Sequence, residues 1–280
     1  MPKDFIKKDK EAKKARLVYI EDADVDTRTA TWEISKFKKG PEPLIIMTKV
    51  KEGSLTILGN RPFSEFINME KIPKGYKLSR YESKGRSGVI FTEPGQFSLR
   101  IYYPAKYVGR IQNQFVESVK EVLKEDYEAD VYLDDRRPHS NDIVFKKDDK
   151  VKKFCGMANI TDENFFACVI TLKKFDEKKI KDLYKLDHKK FTKKGVVKKV
   201  TDVIGGLEEV NKKIGDEVVE KILDRLCKKI NWKIEKSEFT PEELAGIEQT
   251  KKVISNDDWR LRAKKPHKNR WQTKNSPNGQ

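Results

Sequence analysis

The sequence predicts an α+β fold in which a mixed, largely antiparallel sheet is flanked by helices. Three observations predict it. Strand-like segments cluster in the middle of the chain, helical patterns gather toward both ends, and neither a regular βαβ alternation nor a fixed-period repeat appears.

The elements follow in order. Residues 1–16 read as a basic N-terminal arm and 17–20 (Leu-Val-Tyr-Ile) as a short strand. Residues 24–37 take helical spacing, with Ala30, Ile34 and Phe37 on one face, and Gly40-Pro41 breaks the helix. Strands are expected at 44–47 and 54–58, the second ended by Gly59-Asn60-Arg61-Pro62. A short helix over 63–69 precedes strands at 77–81, 88–91 and 97–103. Ile111, Phe115, Val119, Val122 and Leu123 mark a helix over 107–123. A strand meander at 130–133, 142–145, 152–158 and 165–172 comes next, with a polar hairpin turn at 146–150. Helices close the chain at 175–183, at 218–230, and from Thr240, where Thr as N-cap, Pro241 and Glu243 make a capping box. The tail from Lys264 is basic and lacks apolar periodicity.

With 280 residues the chain can build one large or two modest domains. Charged residues make up 38% and hydrophobic ones 36%, but 14 Phe, 9 Tyr and 4 Trp argue against wholesale disorder. No apolar run approaches the roughly 20 residues that span a bilayer, and the basic N-terminus has no apolar stretch of a secretory signal. Three cysteines without a CxxC, and only three histidines, argue against a disulfide framework and a structural zinc site and fit a reduced, cytoplasmic setting. Net charge is +16, with lysine clusters at 7–14, 146–153, 189–199 and 264–270. Such a surface attracts phosphates, nucleotides, nucleic acid or an acidic partner protein, and charge alone does not choose among them.

Three segments carry candidate chemistry. Gly85-Arg86-Ser87-Gly88 is a small-residue turn feeding a strand that continues to Thr92 and Glu93; its backbone N–H groups can approach a phosphate, and Arg86 adds a bidentate donor. Read alone, it is better taken as an ordinary hairpin turn. Asn141-Asp142 opens one strand, and Lys153, Gly156 and Ala158 lie on the next. Lys153 beside Asp142 can present its ammonium to a phosphate, Asp142 can hold Mg²⁺, and the small residues let a ligand lie against the strand. The plain alternative is a charged β-hairpin. Lys193-Lys194-Gly195 can close over a nucleotide or form a solvated edge. There is no convincing Ser/His/Asp arrangement, no P-loop and no dinucleotide fingerprint. Cys155 and Cys168 sit within apolar strands and read as core.

In their order and spacing these segments resemble the lipoate–protein ligases of the biotin/lipoate A/B protein ligase superfamily. Leu58-Gly59-Asn60-Arg61 is similar to a family strand that ends in Gly, Arg and Asn. Residues 88–96 resemble the second half of its Arg/Gly-rich motif, and Asn141-Asp142 with Lys153-Phe154-Cys155-Gly156-Met157-Ala158 resembles its Asn-Asp and Lys-x-x-Gly-x-Ala pair. Residues 192–196, 202–207 and 255–260 are similar to its three later segments. The resemblance covers roughly residues 22–262 and implies a class II synthetase-like biotinyl/lipoyl-transferase fold. It divides the chain into an arm at 1–16, a catalytic domain at 17–262 and a basic tail at 263–280, with no accessory C-terminal domain.

The resemblance also implies a reaction. ATP and lipoate or octanoate give an acyl-adenylate, and a carrier-protein lysine then takes the acyl group. Lys153 would hold the carboxylate and the α-phosphate, and Asn141 and Asp142 would sit near the phosphates and Mg²⁺. Residues 85–93 would line the pocket, and Val169, Thr171, Lys193, Lys194 and Gly195 would border the nucleotide. Implied partners are the lipoyl domain of a 2-oxoacid dehydrogenase or the glycine-cleavage H protein, and a separate accessory domain. No membrane partner is implied, and nucleic acid is not favoured. The chain departs from the family motif at Glu82-Ser83-Lys84-Gly85-Arg86-Ser87-Gly88, where two glycines and arginines are lost, and at Thr92-Glu93, where the family has His-Asp. Two alternatives stand beside the ligase. One is a catalytically degenerate fold that binds nucleic acid or protein. The other is an octanoyltransferase with a Cys nucleophile, which the sequence disfavours because Asp134-Asp135-Arg136-Arg137 stands where those relatives place the cysteine.

Overall fold

In the computed structural model the described residues are 12–21, 23–38, 40–59, 62–81, 88–107, 109–134, 141–160, 164–176, 183, 185 and 204–255. Among them, β1 (Lys13–Ile20), β2 (Leu44–Lys49), β6 (Gln96–Tyr102), β7 (Tyr132–Leu133), β8 (Asp142–Lys147), β9 (Lys150–Ile160), β10 (Phe165–Thr171) and β11 (Trp232–Lys236) form one sheet. Its order is β11-β1-β2-β6-β10-β9-β8-β7. The β11–β1–β2 edge is parallel and every other pairing antiparallel. A second sheet, β4-β3-β5, joins β3 (Ser54–Leu58), β4 (Lys77–Tyr81) and β5 (Gly88–Thr92).

The large sheet is buried on both faces. Helices α2 (Arg110–Tyr127) and α3 (Glu217–Ile230) cover one face. Both are amphipathic: Ile111, Phe115, Val119 and Val122 of α2, and Val218, Ile222 and Leu226 of α3, meet Ile143, Phe145, Phe166, Cys168 and Ile170 of the sheet. The second face meets α1 (Val25–Ala30), α4 (Pro241–Ile254) and the small sheet. There, Trp32, Ile34, Ile46, Ala167, Phe165 and Ile247 form one apolar cluster, and Leu55, Ile57, Phe63, Phe91 and Phe175 another. No helix among the described residues is long and apolar enough to cross a membrane.

The α+β class and the meander stand as expected, with corrections at the edges. Strand β1 begins at Lys13, inside the stretch read as an arm, because parallel pairing to β11 gives its backbone a partner there. The first helix is α-helical only to Ala30 and continues as a 3-10 segment over Thr31–Lys36. Thr29 Oγ1 and Thr31 Oγ1 donate to the carbonyls of Val25 and Arg28, which competes with the α ladder. The helix expected at 63–69 is two 3-10 turns, Phe63–Glu65 and Met69–Lys71. Strand β11 was not anticipated. Asn231, at φ 59°, ends α3 in the left-handed region and returns the chain directly to the sheet edge. The hairpin turn between β8 and β9 places Asp148 and Asp149 at φ 48° and 58°, the two positive values a two-residue turn of this hand requires. Of the helix expected over 175–183, residues 177–182 lie outside the described residues, as do the segments at 192–196 and 256–260.

The capping box at Thr240 is present, with Glu243 N donating to Thr240 Oγ1 and Thr240 N to Glu243 Oε2. Glu243, 1% exposed, also accepts two hydrogen bonds from Arg16 of β1, at 3.0 and 2.9 Å. One carboxylate therefore caps α4 and ties it to the sheet. Glu243→Ala removes both contacts and is expected to lower unfolding free energy by about 3 kcal/mol. That is the low end for a broken buried pair, because Arg16 keeps Ser237 and Glu238 as acceptors. Urea unfolding of the two proteins checks this.

Candidate active site

Lys153 owes its position to an irregularity in β9. Ile143 of β8 pairs with Cys155 but Val144 pairs with Lys153, so Phe154 is an extra residue in the ladder. Strict alternation would place Lys153 on the same face as Cys155, toward α2 and α3. The bulge resets the alternation. Phe154 and Cys155 both pack in the helix-side core, and Lys153 turns to the other face. Its neighbour Lys152 takes the helix side, where it is held by Glu209 at 2.6 Å. Two adjacent lysines thus serve opposite faces of the sheet.

The face that Lys153 reaches borders a cavity of about 660 Å³ between the two sheets. Gly156, Ala158, Ala167 and Val169 contribute to its floor, Leu58, Val89, Ile90 and Phe91 of the small sheet face them, and Trp32 closes one side. The Lys153 ammonium lies across Gly156 and contacts Asp142 Oδ1 at 2.7 Å. Gly156 has to be glycine for this: a Cβ there would stand 2.7 Å from Lys153 Nζ and 2.8 Å from Cε. The backbone is fixed as well, since Gly205 N donates to the Lys153 carbonyl at 2.9 Å where β10 has ended.

The structure brings together Asn141, Asp142, Lys153, Gly156, Ala158, Val169 and Thr171 around this cavity. Asn141 Oδ1 accepts from Gln112 of α2, and its backbone carbonyl from Met157 N. Gly88 opens β5 opposite Leu58. Thr92, expected on the pocket wall, instead turns into a buried network. Its Oγ1 lies 2.6 Å from Ser54 Oγ and accepts from Arg28 at 3.1 Å, while Val89, Ile90 and Phe91 of the same strand border the cavity. Glu93 is buried just beyond β5, with its backbone N–H on Gln96 Oε1, and does not border the cavity. Gly85, Arg86, Ser87, Lys193, Lys194 and Gly195 lie outside the described residues.

Sequence reasoning assigned no role to Gln96, Ser98, Trp32 or Ile204, all of which border the cavity. Gln96 donates to Thr171 Oγ1 at 2.9 Å and so bridges two candidate positions. Its sequence signal was its place directly after Gly95 in the segment that resembles the family motif. No group of three or more His, Cys, Asp or Glu able to hold a metal occurs among the described residues.

No protein-family model matches the chain, and no curated protein matches it in sequence. Its fold nevertheless has solved counterparts. A bi-partite lipoate protein ligase from Thermoplasma acidophilum, studied with its E2 lipoyl domain, superposes with a TM-score of 0.71 at 16% identity over 91% of this chain and 99% of that one. A putative lipoate protein ligase of the same organism with bound lipoic acid gives 0.67 at 17%, over 89% and 99%. A lipoate-protein ligase A bound with ATP gives 0.69 at 15%, over 90% and 100%. The chain has the lipoate–protein ligase fold. At these identities the likeness establishes architecture, and the chemistry has to be argued from the residues.

The cysteines bear on that chemistry. Cys155, Cys168 and Cys227 are all buried. Burial pushes the Cys168 thiol well up and Cys227 up to about 12, so neither supplies a thiolate near neutral pH. Native protein is expected to release well under one equivalent of thiolate to an aromatic disulfide reagent at pH 8, and all three on unfolding. Rapid labelling of one thiol in the folded protein would reopen the Cys-nucleophile reading.

Proposed function

We propose that the protein is an ATP-dependent ligase that activates lipoate or a related acid as its acyl-adenylate and transfers the acyl group to a lysine of a carrier domain. The observation that carries this reading is the Lys153 ammonium laid across Gly156 at the mouth of a cavity of ligand size. Supporting it are the fold shared with structures that hold lipoic acid or ATP.

In the first step a carboxylate oxygen of the acid attacks the α-phosphorus of ATP. The new oxygen–phosphorus bond forms as the bond to the β-phosphate oxygen breaks, and pyrophosphate leaves with that electron pair. Both reacting groups are anionic, so a fixed ammonium between them lowers their repulsion and stabilises charge on the phosphoryl oxygens. Lys153 is held for this by its bulged backbone and by Asp142. In the second step the neutral amine of a carrier lysine attacks the acyl carbon, AMP leaves with the bonding pair, and the nitrogen loses its proton to water. Lys153 then faces the departing phosphate.

Asp142 offers one carboxylate to Mg²⁺. That donor set fits an ion brought in on the nucleotide, which takes its other ligands from phosphates and water. Magnesium bound there would supply further neutralisation of the phosphates. The net charge of +16 suits both a nucleotide and an acidic carrier such as the lipoyl domain of a 2-oxoacid dehydrogenase or the glycine-cleavage H protein.

Exchange of labelled pyrophosphate into ATP, dependent on lipoate or octanoate, is the direct test; no exchange with any acid in a broad panel rejects the proposal. Lys153→Ala is expected to slow exchange by about two to three orders of magnitude, as loss of one preorganised donor does. Gly156→Ala is a finer probe. The atom it meets is the far end of a flexible lysine, so the fold survives while the ammonium is displaced. Exchange should fall by about 100-fold, the effect of roughly 1 Å of misplacement, with the thermal midpoint little changed.

A further inference from the structure

Lys152 and Lys153 are consecutive and chemically identical, yet the cavity receives only the second of them. The strand itself does not decide which, because a shift of one residue exchanges the faces of every side chain. Among the described residues, Glu209 is placed to decide it. Its side chain is 7% exposed, and its Oε2 holds the Lys152 ammonium at 2.6 Å. Lys152 stands opposite Phe145 in the ladder, and the Phe145 ring belongs to the helix-side core. The pair therefore lies on the face away from the cavity.

The Glu209 carboxylate is held in place by contacts other than Lys152. It closes a strap of residues 204–209 that lies along β9 beyond the end of its pairing with β10, which stops at Cys155 and Ile170. Ile204 bridges Lys153, and Gly205 N donates to the Lys153 carbonyl at 2.9 Å. Glu209 Oε1 accepts from Gly206 N at 3.1 Å, and the Glu209 carbonyl accepts from Lys147 Nζ at 2.7 Å. Leu207 is buried in the helix-side core, and Glu208 N donates to the Leu172 carbonyl at 2.9 Å. The fit leaves no slack: a Cβ on Gly206 would meet the Lys173 carbonyl, and one on Gly205 would stand 2.9 Å from both Glu209 Oε1 and Lys152 Cδ. One strap thus fixes the Lys153 backbone and carries the carboxylate that claims its neighbour.

We infer that Glu209 is a positioning residue: by holding Lys152 on the helix side it keeps the bulge at Phe154 and selects Lys153 as the lysine of the cavity. Its importance for catalysis rests on the reading of Lys153 as the group that meets the reacting anions. A largely buried ion pair adds little stability over an apolar pair of the same size, and its best-attested use is to specify register. Without the Glu209 charge, the Lys152 ammonium is left uncompensated beside the core, and the register that turns it to the cavity becomes the better one.

Sparse reductive methylation of the full chain, read by peptide fragmentation, reports which of the two amines is accessible. In the wild type, the Lys153 side chain, 35% exposed, is expected to label ahead of Lys152, 13% exposed. Glu209→Gln keeps an acceptor for Gly206 and removes the charge. Lys152 should then label as fast as Lys153 or faster, and pyrophosphate exchange with lipoate or octanoate should fall by about 100-fold, the effect of roughly 1 Å of misplacement. Adding Lys152→Met, which seats an apolar chain beside the core, is expected to restore both Lys153 labelling and exchange with Glu209→Gln still in place. The inference is overturned by Lys152 labelling first in the wild type, or by a folded Glu209→Gln protein that still labels Lys153 first or exchanges at the wild-type rate. Where Glu209→Gln does not fold, the double variant decides: wild-type labelling of Lys153 supports the inference, and an unfolded double variant or a protected Lys153 overturns it. A wild-type chain that exchanges with no acid removes the ligase, and the labelling order still decides the role of Glu209.

Discussion

The candidate site depends on one extra residue in β9. A strand offers its side chains to two faces in strict turn, and here one face is a packed helix-side core containing Phe115, Phe166 and Leu226. Without the bulge at Phe154, the Lys153 ammonium would be driven into that core and Lys152 would face the cavity. With it, Phe154 and Cys155 fill the core together, Lys152 meets Glu209 and Lys153 meets Asp142. The same irregularity therefore satisfies two charges and one aromatic ring.

A bulge positions a side chain only if the surroundings hold it, and the layering provides that. The floor beside Lys153 is kept low by Gly156, Ala158 and Ala167, so the long side chain can lie along the sheet instead of standing away from it. The helices on the opposite face pack against the alternate residues of the same strands, so the floor cannot deform without opening the core. A group that must meet two anions at fixed geometry gains from such a support, since it loses little freedom when they bind.

Much of the fold was legible because hydrophobic period and turn chemistry agreed locally: β3 and β4, the β8–β9 hairpin and the Thr240 capping box lie where the sequence places them. What was not legible is non-local. Strand β11 is fixed by an edge that exists only after β1 has formed, and the bulge is invisible in Lys152-Lys153-Phe154-Cys155, which reads equally well with either lysine inward. The resemblance to lipoate–protein ligases selected Lys153, Asn141 and Asp142, which do share one cavity. It also carried Thr92 to the cavity wall, whereas its hydroxyl is taken up by Ser54 and Arg28 in a buried network. Phe97, Ser98, Leu99, Arg100 and Ile101 alternate like a strand with one wet face. That face is covered by a second sheet, so Ser98 and Arg100 are buried and no local pattern distinguishes them from surface residues.

The layer between the sheets is unusually polar for an interior. Arg28 donates to Ser54 and Thr92, Thr29 bonds Ser79, and Gln96 bonds Thr171. If the space between the sheets were only a packing fault, apolar residues would have served better, because buried polar groups cost stability unless fully paired. Here most are paired with each other, although Arg28 Nε, Thr48 Oγ1 and two nitrogens of Arg100 are buried without a partner. Gln96, Ser98 and Thr171 set fixed dipoles along an apolar-floored space that the Lys153 ammonium also borders, and together they define a direction for whatever enters. That polarity is the strongest physical reason to treat the cavity as a binding site that orients its ligand.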